Sequence, residues 1–178
     1  MEVEGVEPVE PLPGRATRID RSFAFIDLSG FTAFTDHEGD DRAVEVLTAF
    51  RTVVRGVAST RGVRIAKWLG DGAMLVGVEP EPLLDAVVDI EGLIAASGSI
   101  LPLRAGFTTG PVILIDGDDY VGHAVNVAAR LLDVAEPRQI LAPADDVEHL
   151  YTDLVSRPAG RVEMKGIEAP LDVVAVER

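Results

Sequence analysis

Gly70-Asp71-Gly72 stands between two short apolar runs, residues 63–68 and 73–78, and a chain built this way has to double back on itself. Such a Gly-Asp-Gly centre predicts a β-hairpin, because glycine accepts the backbone angles that tight hairpin turns demand. Upstream, residues 21–28 (RSFAFIDL) form an apolar, aromatic-containing run closed by Ser29-Gly30, which predicts a buried strand. Between strand and hairpin, the polar cluster TDHEGDD leads into a helix of about eighteen residues. Its apolar stripe is Val44, Leu47, Phe50, Val53, Val54 and Val57, at spacings of three and four, with Asp40 or Asp41 as N-cap and Arg61-Gly62 as the stop.

The same reading continues downstream. Residues 82–96 predict a second helix, with Leu83, Leu84, Val87, Val88 and Ile90 facing inward. A strand over 103–108 is broken by Gly110-Pro111 and followed by another over 112–115. Asp116-Gly117-Asp118-Asp119 reads as a turn, 122–134 as a third helix, 139–142 as a strand and 145–150 as a short helix. Residues 161–164 and 171–176 make a final pair of strands around Lys165-Gly166. The order is β-α-β-β-α-β, then β-α-β and a closing hairpin. It predicts an α+β sandwich, a ferredoxin-like core with additional strands, its sheet antiparallel and its helices on one face. Residues 1–20 read as an acidic, proline-containing extension, and 21–178 as one domain.

Composition excludes several function classes. The chain has no cysteine, so disulfides, thiolate metal sites and cysteine nucleophiles are ruled out and the cytoplasm is the expected compartment. No apolar run reaches the roughly 18–20 residues that span a bilayer. A net charge of −14 repels polyanions and argues against nucleic acid as a partner. A small anionic substrate stays compatible with that charge if metal ions and a few placed cations neutralise it locally. Neither G-x-x-x-x-G-K-[ST] nor G-x-G-x-x-G occurs, so the two common phosphate loops are missing.

A few polar residues sit where chemistry could use them. Asp27, at the end of the first strand, is either a turn or cap aspartate or a metal ligand held by a rigid strand end; oxygen ligands of this kind suit Mg²⁺ or Mn²⁺. Asp71, at the hairpin tip, reads alone as a turn residue, and Lys67 as a solvated strand lysine. Asn126 and Arg130 share one face of the helix VGHAVNVAARLL, where asparagine is a poor interior residue and wants a reason. His37, His123 and His149 are scattered and form no ligand pattern. Trp68 reads as core or interface.

Taken together, these residues resemble the catalytic domain of class III adenylate/guanylate cyclases from about Ser22 to Val176. The first-strand motif is similar to Phe25-Ile26-Asp27-Leu28-Ser29-Gly30-Phe31-Thr32, the hairpin motif to Lys67-Trp68-Leu69-Gly70-Asp71. The third is similar to Asp119-Tyr120-Val121-Gly122-His123-Ala124-Val125-Asn126-Val127-Ala128-Ala129-Arg130. The resemblance implies that Asp27 and Asp71 hold two divalent ions, that Lys67 and Asp119 read the purine, that Asn126 orients the ribose and that Arg130 stabilises charge on the reacting phosphate. It also likens Lys165, in Met-Lys-Gly, to a lysine that contacts the terminal phosphates. The implied activity is conversion of ATP to 3′,5′-cyclic AMP and pyrophosphate, at sites shared across a head-to-tail homodimer.

Base choice follows from donor and acceptor logic. Adenine offers an N6 donor and an N1 acceptor, which suit Asp119 and Lys67; guanine reverses both. Two features depart from the family pattern. The segment before Asp119 is short where many members have an arm that embraces the partner, and His123 stands where an aspartate is common. Rival readings are a degenerate cyclase domain that binds nucleotide or a protein partner without turnover, and a plain ferredoxin-like interaction module. A diguanylate cyclase would need a Gly-Gly-Asp/Glu-Glu-Phe hairpin, which Leu69-Gly70-Asp71-Gly72-Ala73 is not.

Overall fold

The structure, a computed structural model, describes residues 18–117, 119–167 and 169–178; most of the acidic extension, 1–17, and Asp118 of the expected turn lie outside the described residues. Strand β1 (Arg18–Leu28) runs through the middle of an eight-stranded sheet. It pairs antiparallel with β3 (Gly72–Gly77) on one side and β4 (Leu103–Ile115) on the other. Beyond β3 lies the edge strand β2 (Arg64–Leu69); beyond β4 come β6 (Ile140–Pro143), β8 (Leu171–Glu177) and β7 (Val155–Val162). Short β5 (Asp119–Val121) pairs with the far end of β4. The predicted β-α-β-β-α-β core is present, and the sheet is antiparallel except where β4 meets β6.

Alternation along β1 explains how the sheet is covered. Ala24, Ile26 and Leu28 point to one face and bury against α2 (Asp40–Arg61) and α3 (Pro80–Ala96) through Phe50, Val54, Leu83, Val87 and Ile90. Phe23 and Phe25 point to the other face, where α4 (His123–Val134) lays Ala124 and Ala128. Helices therefore cover both faces, not one. A single hydrophobic stripe per helix does not reveal which side of a sheet it will choose. Gly106 of β4 marks the closest approach: a Cβ there would sit 2.2 Å from the Ala128 carbonyl oxygen and 2.4 Å from the Leu132 nitrogen. Only glycine lets α4 lie this close to the sheet.

Other boundaries move for identifiable reasons. A separate helix, α1 (Phe31–Glu38), precedes α2, and Gly39 at φ 86 divides them. Asp40 and Asp41 lie inside the first turn of α2 rather than capping it, where their charges complement the helix dipole. Val44, expected in the stripe, is 62% exposed, and Ala43 is buried in its place. Strand β4 continues through Gly110-Pro111: Pro111 pairs with Asp20 of β1, and its other side lies between the stretches of β4 that β6 and β5 occupy. A missing N–H costs no ladder bond there. Strand β7 covers Val155–Val162, earlier than the 161–164 expected, and pairs with β8 from Val155 onward, past an irregularity between Pro158 and Gly160. The short helix α5 is Ala144–Val147.

Candidate active site

The end of β1 and the hairpin tip are tied together by the backbone. Gly70 takes φ 65 at the turn, the Leu28 amide donates to the Asp71 carbonyl at 3.3 Å, and the Ser29 amide donates to the Pro102 carbonyl at 2.8 Å. Asp27 faces Gly72 directly across the β1–β3 ladder. A Cβ on Gly72 would come within 2.4 Å of the Ile26 carbonyl oxygen and 3.1 Å of Asp27 Cβ. The glycine after Asp71 is thus what allows the hairpin to close over Asp27. Burial pushes the Asp71 carboxyl above the ordinary aspartate value, and the charge of Asp27 adds to the effect; its own backbone amide and Arg104 oppose it. The two carboxylates lie in each other's field.

On the other side of β1 stands a residue that the motif reading passed over. Arg104 of β4 is opposite Asp27 in register and grips its carboxylate at two points, Nε to Oδ1 at 2.8 Å and Nη2 to Oδ2 at 3.0 Å. The side chains are 29% and 19% exposed. The bond to Asp27 raises the guanidinium pKa, against the opposing effect of burial, with smaller contributions from Asp133 and Asp71. A signal was present in the sequence: a lone arginine between Leu103 and Ala105 in a buried strand wants a partner on the neighbouring strand.

Lys67 and Asp119 also meet. An irregularity after Ile65 sets Lys67 opposite Met74, on the α4 face of the sheet, while Trp68 turns to the α2 face. Lys67 Nζ donates to Asp119 Oδ1 at 2.7 Å, and the Tyr120 amide donates to the same oxygen at 3.1 Å. Asp119 was expected in a turn; it is the first residue of β5, paired with Ile115. The neighbouring Tyr120 packs edge-on against Phe23 at 5.3 Å and so locates the strand. The Lys67 bond holds the Asp119 carboxyl below the usual aspartate range. Trp68 lies edge-on to Phe50, with Arg51 and Arg55 guanidinium carbons 5.0 and 5.1 Å from its ring centre. It is a packing residue, as read from sequence.

Asn126 and Arg130 lie on one exposed face of α4, the stretch between them filled by buried Val127 and Ala128. Arg130 Nη1 bonds Asp133 at 3.2 Å. Lys165 is exposed in the turn between β7 and β8, with no ion pair among the described residues. The structure therefore joins Asp27 with Asp71 and Lys67 with Asp119, and leaves Asn126, Arg130 and Lys165 facing outward. A groove of about 970 Å³ between α2 and α3 is lined by none of these seven residues.

Among the described residues no cluster of three or more His, Cys, Asp or Glu side chains could enclose a metal ion. Two carboxylates in one field are nevertheless a fitting donor set for Mg²⁺ or Mn²⁺, which take hard oxygens and commonly bind through one or two carboxylates plus substrate phosphates. No helix among the described residues is long and apolar enough to cross a membrane.

The eight-stranded sheet with helices on both faces is the catalytic-domain fold of class III nucleotidyl cyclases, and the chain belongs to that family. It aligns with the crystal structure of the adenylyl cyclase CyaB from P. aeruginosa at TM-score 0.80 and 21% identity, over 91% of this chain and 95% of that one. It aligns as well with the guanylate cyclase domain of RhGC from Catenaria anguillulae in complex with GTP, at TM-score 0.78 and 22% identity over 90% and 98%. In sequence it is 38% identical to an uncharacterized protein of Mycobacterium tuberculosis over 83% of this chain and 38% of the relative. It is 32% identical to a pH-sensitive adenylate cyclase of the same organism over 100% and 46%. The chain thus spans less than half the length of the curated relatives it matches. No protein-family model matches it.

Proposed function

We propose that this chain, with residues 21–178 as its catalytic domain, is an adenylate cyclase that converts ATP to 3′,5′-cyclic AMP and pyrophosphate in the cytoplasm. The observation that carries the choice of ATP is the Lys67–Asp119 pair, one donor beside one acceptor at 2.7 Å. Lys67 donates to adenine N1 and Asp119 accepts from the N6 amino group; guanine offers the opposite polarity at both atoms. Guanine would leave both groups without a matching partner, which disfavours it. The same fold accommodates a guanylate cyclase domain with GTP, so selectivity rests on these two side chains rather than on architecture.

Asp27 and Asp71 would hold two divalent ions, Mg²⁺ or Mn²⁺, which acidify the ribose 3′-hydroxyl and neutralise the phosphates. Asn126 positions the ribose so that its 3′-oxygen faces the α-phosphorus in line with the bond to pyrophosphate. The new oxygen–phosphorus bond forms as the bond to pyrophosphate breaks, and the hydroxyl proton passes to solvent water. Arg130 stabilises the charge that gathers on the phosphate, and Lys165 contacts the terminal phosphates. Asn126 and Arg130 face outward, and this supports sites shared across a homodimer, with each carboxylate pair supplied by one copy and the α4 face by the other. Leu114, Ile115 and Val121, exposed on the β4–β5 ribbon, offer apolar surface to the second copy.

The test is cyclic nucleotide formation by the purified chain, ATP against GTP, with each metal, over a range of protein concentrations. Cyclic AMP with specific activity rising with concentration is expected. Equal turnover of GTP would overturn the base assignment; ATP binding without turnover would leave a degenerate nucleotide-binding domain. Mixing Lys67→Ala with Asp27→Ala chains should restore one intact site per heterodimer, and no recovery would count against shared sites.

A further inference from the structure

We infer that Arg51 is a positioning residue that pre-orders the β2–β3 hairpin from α2 and so sets the places of Lys67 and Asp71; this rests on the base-reading and metal-holding roles proposed for those two residues. The hairpin is lightly held at its tip. Strand β2 is an edge strand, paired with β3 alone, and its register shifts between Ile65 and Lys67. Gly70 takes φ 65, and a Cβ built there meets nothing within 4 Å, so on that side the turn is open. Arg51 supplies what the ladder lacks. Its Nη2 donates to the Gly70 carbonyl at 3.2 Å, and its guanidinium carbon lies 5.0 Å from the centre of the Trp68 ring. Arg51 Nε is buried with no hydrogen-bond partner among the described residues, so the ring and the carbonyl are what hold the group there. A buried donor left unpaired is costly, and such local costs are kept where the placement of the side chain serves another purpose.

Consecutive residues of a strand point to opposite faces, so holding Trp68 against α2 holds Lys67 on the α4 side, where it meets Asp119. The Gly70 carbonyl belongs to the same planar peptide unit as the Asp71 nitrogen, so fixing that oxygen fixes the backbone from which the Asp71 side chain springs. One arginine thereby anchors both proposed contacts from behind. It does so by position rather than by charge: burial, its own amide, Asp27 and Arg104 are what move the Asp71 carboxyl, and Arg51 is not among them. A hairpin already in its working place lets ATP bind without first ordering it. When Arg51 is removed, only a fraction of the chains presents Lys67 and Asp71 together, and the apparent dissociation constant rises in inverse proportion to that fraction. Bound nucleotide then holds the hairpin itself, so turnover of the saturated enzyme is unchanged. Arg55, whose guanidinium carbon is 5.1 Å from the centre of the same ring, makes no bond to the turn among the described residues and is the natural control.

The test compares Arg51→Met with Arg55→Met in the full chain. Each removes one cation from Trp68, and the first alone removes the bond to Gly70. In Arg51→Met, KM for ATP with Mg²⁺ should rise about tenfold while kcat stays within about twofold of the parent; Arg55→Met should stay near the parent in both. Hydrogen exchange without nucleotide reads the hairpin directly: the amides of residues 69–72 should exchange about tenfold faster in Arg51→Met than in the parent or in Arg55→Met. Arg51→Lys, which keeps a charged donor, should recover part of both effects, and it carries the comparison with smaller changes should Arg51→Met fail to fold. Equal exchange in the parent and the Arg51 variant overturns the positioning role, whatever the turnover. So does a fall in kcat at unchanged KM, the mark of a transition-state contact, or a rise in KM shared equally by both Met variants. A parent chain that forms no cyclic nucleotide, with the exchange difference intact, overturns the cyclase reading alone and leaves Arg51 as the anchor of the hairpin.

Discussion

The two polar clusters of this chain differ in how complete they are. The Asp27–Asp71 end is closed: side-chain exposures of 19% and 29% for Asp27 and Arg104, a two-point ion pair, and a hairpin fastened by backbone bonds. The α4 and β5 side is open: Lys67 and Asp119 are 49% and 54% exposed, Arg130 is 50% exposed, and Asn126 points away from the core. A closed cluster is a matter of folding, since its geometry is set as the strands pair. An open one waits for a ligand or another copy of the chain. Substitutions in the first should disturb stability and metal affinity together, and substitutions in the second should change catalysis with little effect on stability.

The sharpest test of that division is Arg130→Ala. Loss of the charge we propose acts on the transition state should lower kcat by about 10²–10³, yet the melting temperature should stay close to the parent because the side chain is exposed and its bond to Asp133 is a surface pair. A large fall in melting temperature would break the comparison. Gly106→Ala should do the reverse: a Cβ 2.2 Å from the Ala128 carbonyl forces α4 off the sheet, costing about 3 kcal/mol in denaturant unfolding and displacing both clusters at once. Lys67→Ala should leave stability nearly unchanged and cut the preference for ATP over GTP by about 10- to 100-fold, measured as the ratio of kcat/KM values.

A smaller effect lies at a third polar site, half-buried and without a cation among the described residues. Asp146 accepts from the Thr108 hydroxyl at 2.6 Å and the Thr109 amide at 3.0 Å, and burial pushes its carboxyl above the ordinary aspartate value of 3.8. A raised folded pKa contributes stability that is fully present below 3.8 and is lost as pH rises through the raised value. Asp146→Asn keeps an acceptor oxygen and cannot ionise. Unfolding measured over a pH series should show the parent losing stability relative to this variant as pH climbs past 3.8. A difference that does not change with pH would place the carboxyl in solvent-like surroundings.

Much of this was legible before any coordinates. Local pattern is enough for Gly70-Asp71-Gly72 to define a hairpin, for Leu83, Leu84, Val87 and Ile90 to mark the buried face of α3, and for three motifs to point to one family. Arg104 was missed because its meaning depends on Asp27, 77 positions away in sequence and adjacent only across a strand pair. Asp119 was recognised by its motif and misplaced in a turn, because β5 exists only where β4 offers it an edge.

By itself the sequence determined the order of the core strands and helices, the apolar side of most of them, and which residue types were available for chemistry. Those are properties of neighbours a few positions apart, where backbone preference and side-chain period act. Tertiary structure alone decided that α4 crosses to the face opposite α2 and α3, that β4 runs unbroken through Pro111, and that Arg104 stands against Asp27. Each of these is settled by pairings between distant segments, whose free energy depends on the whole sheet being assembled and cannot be read from any short stretch of residues.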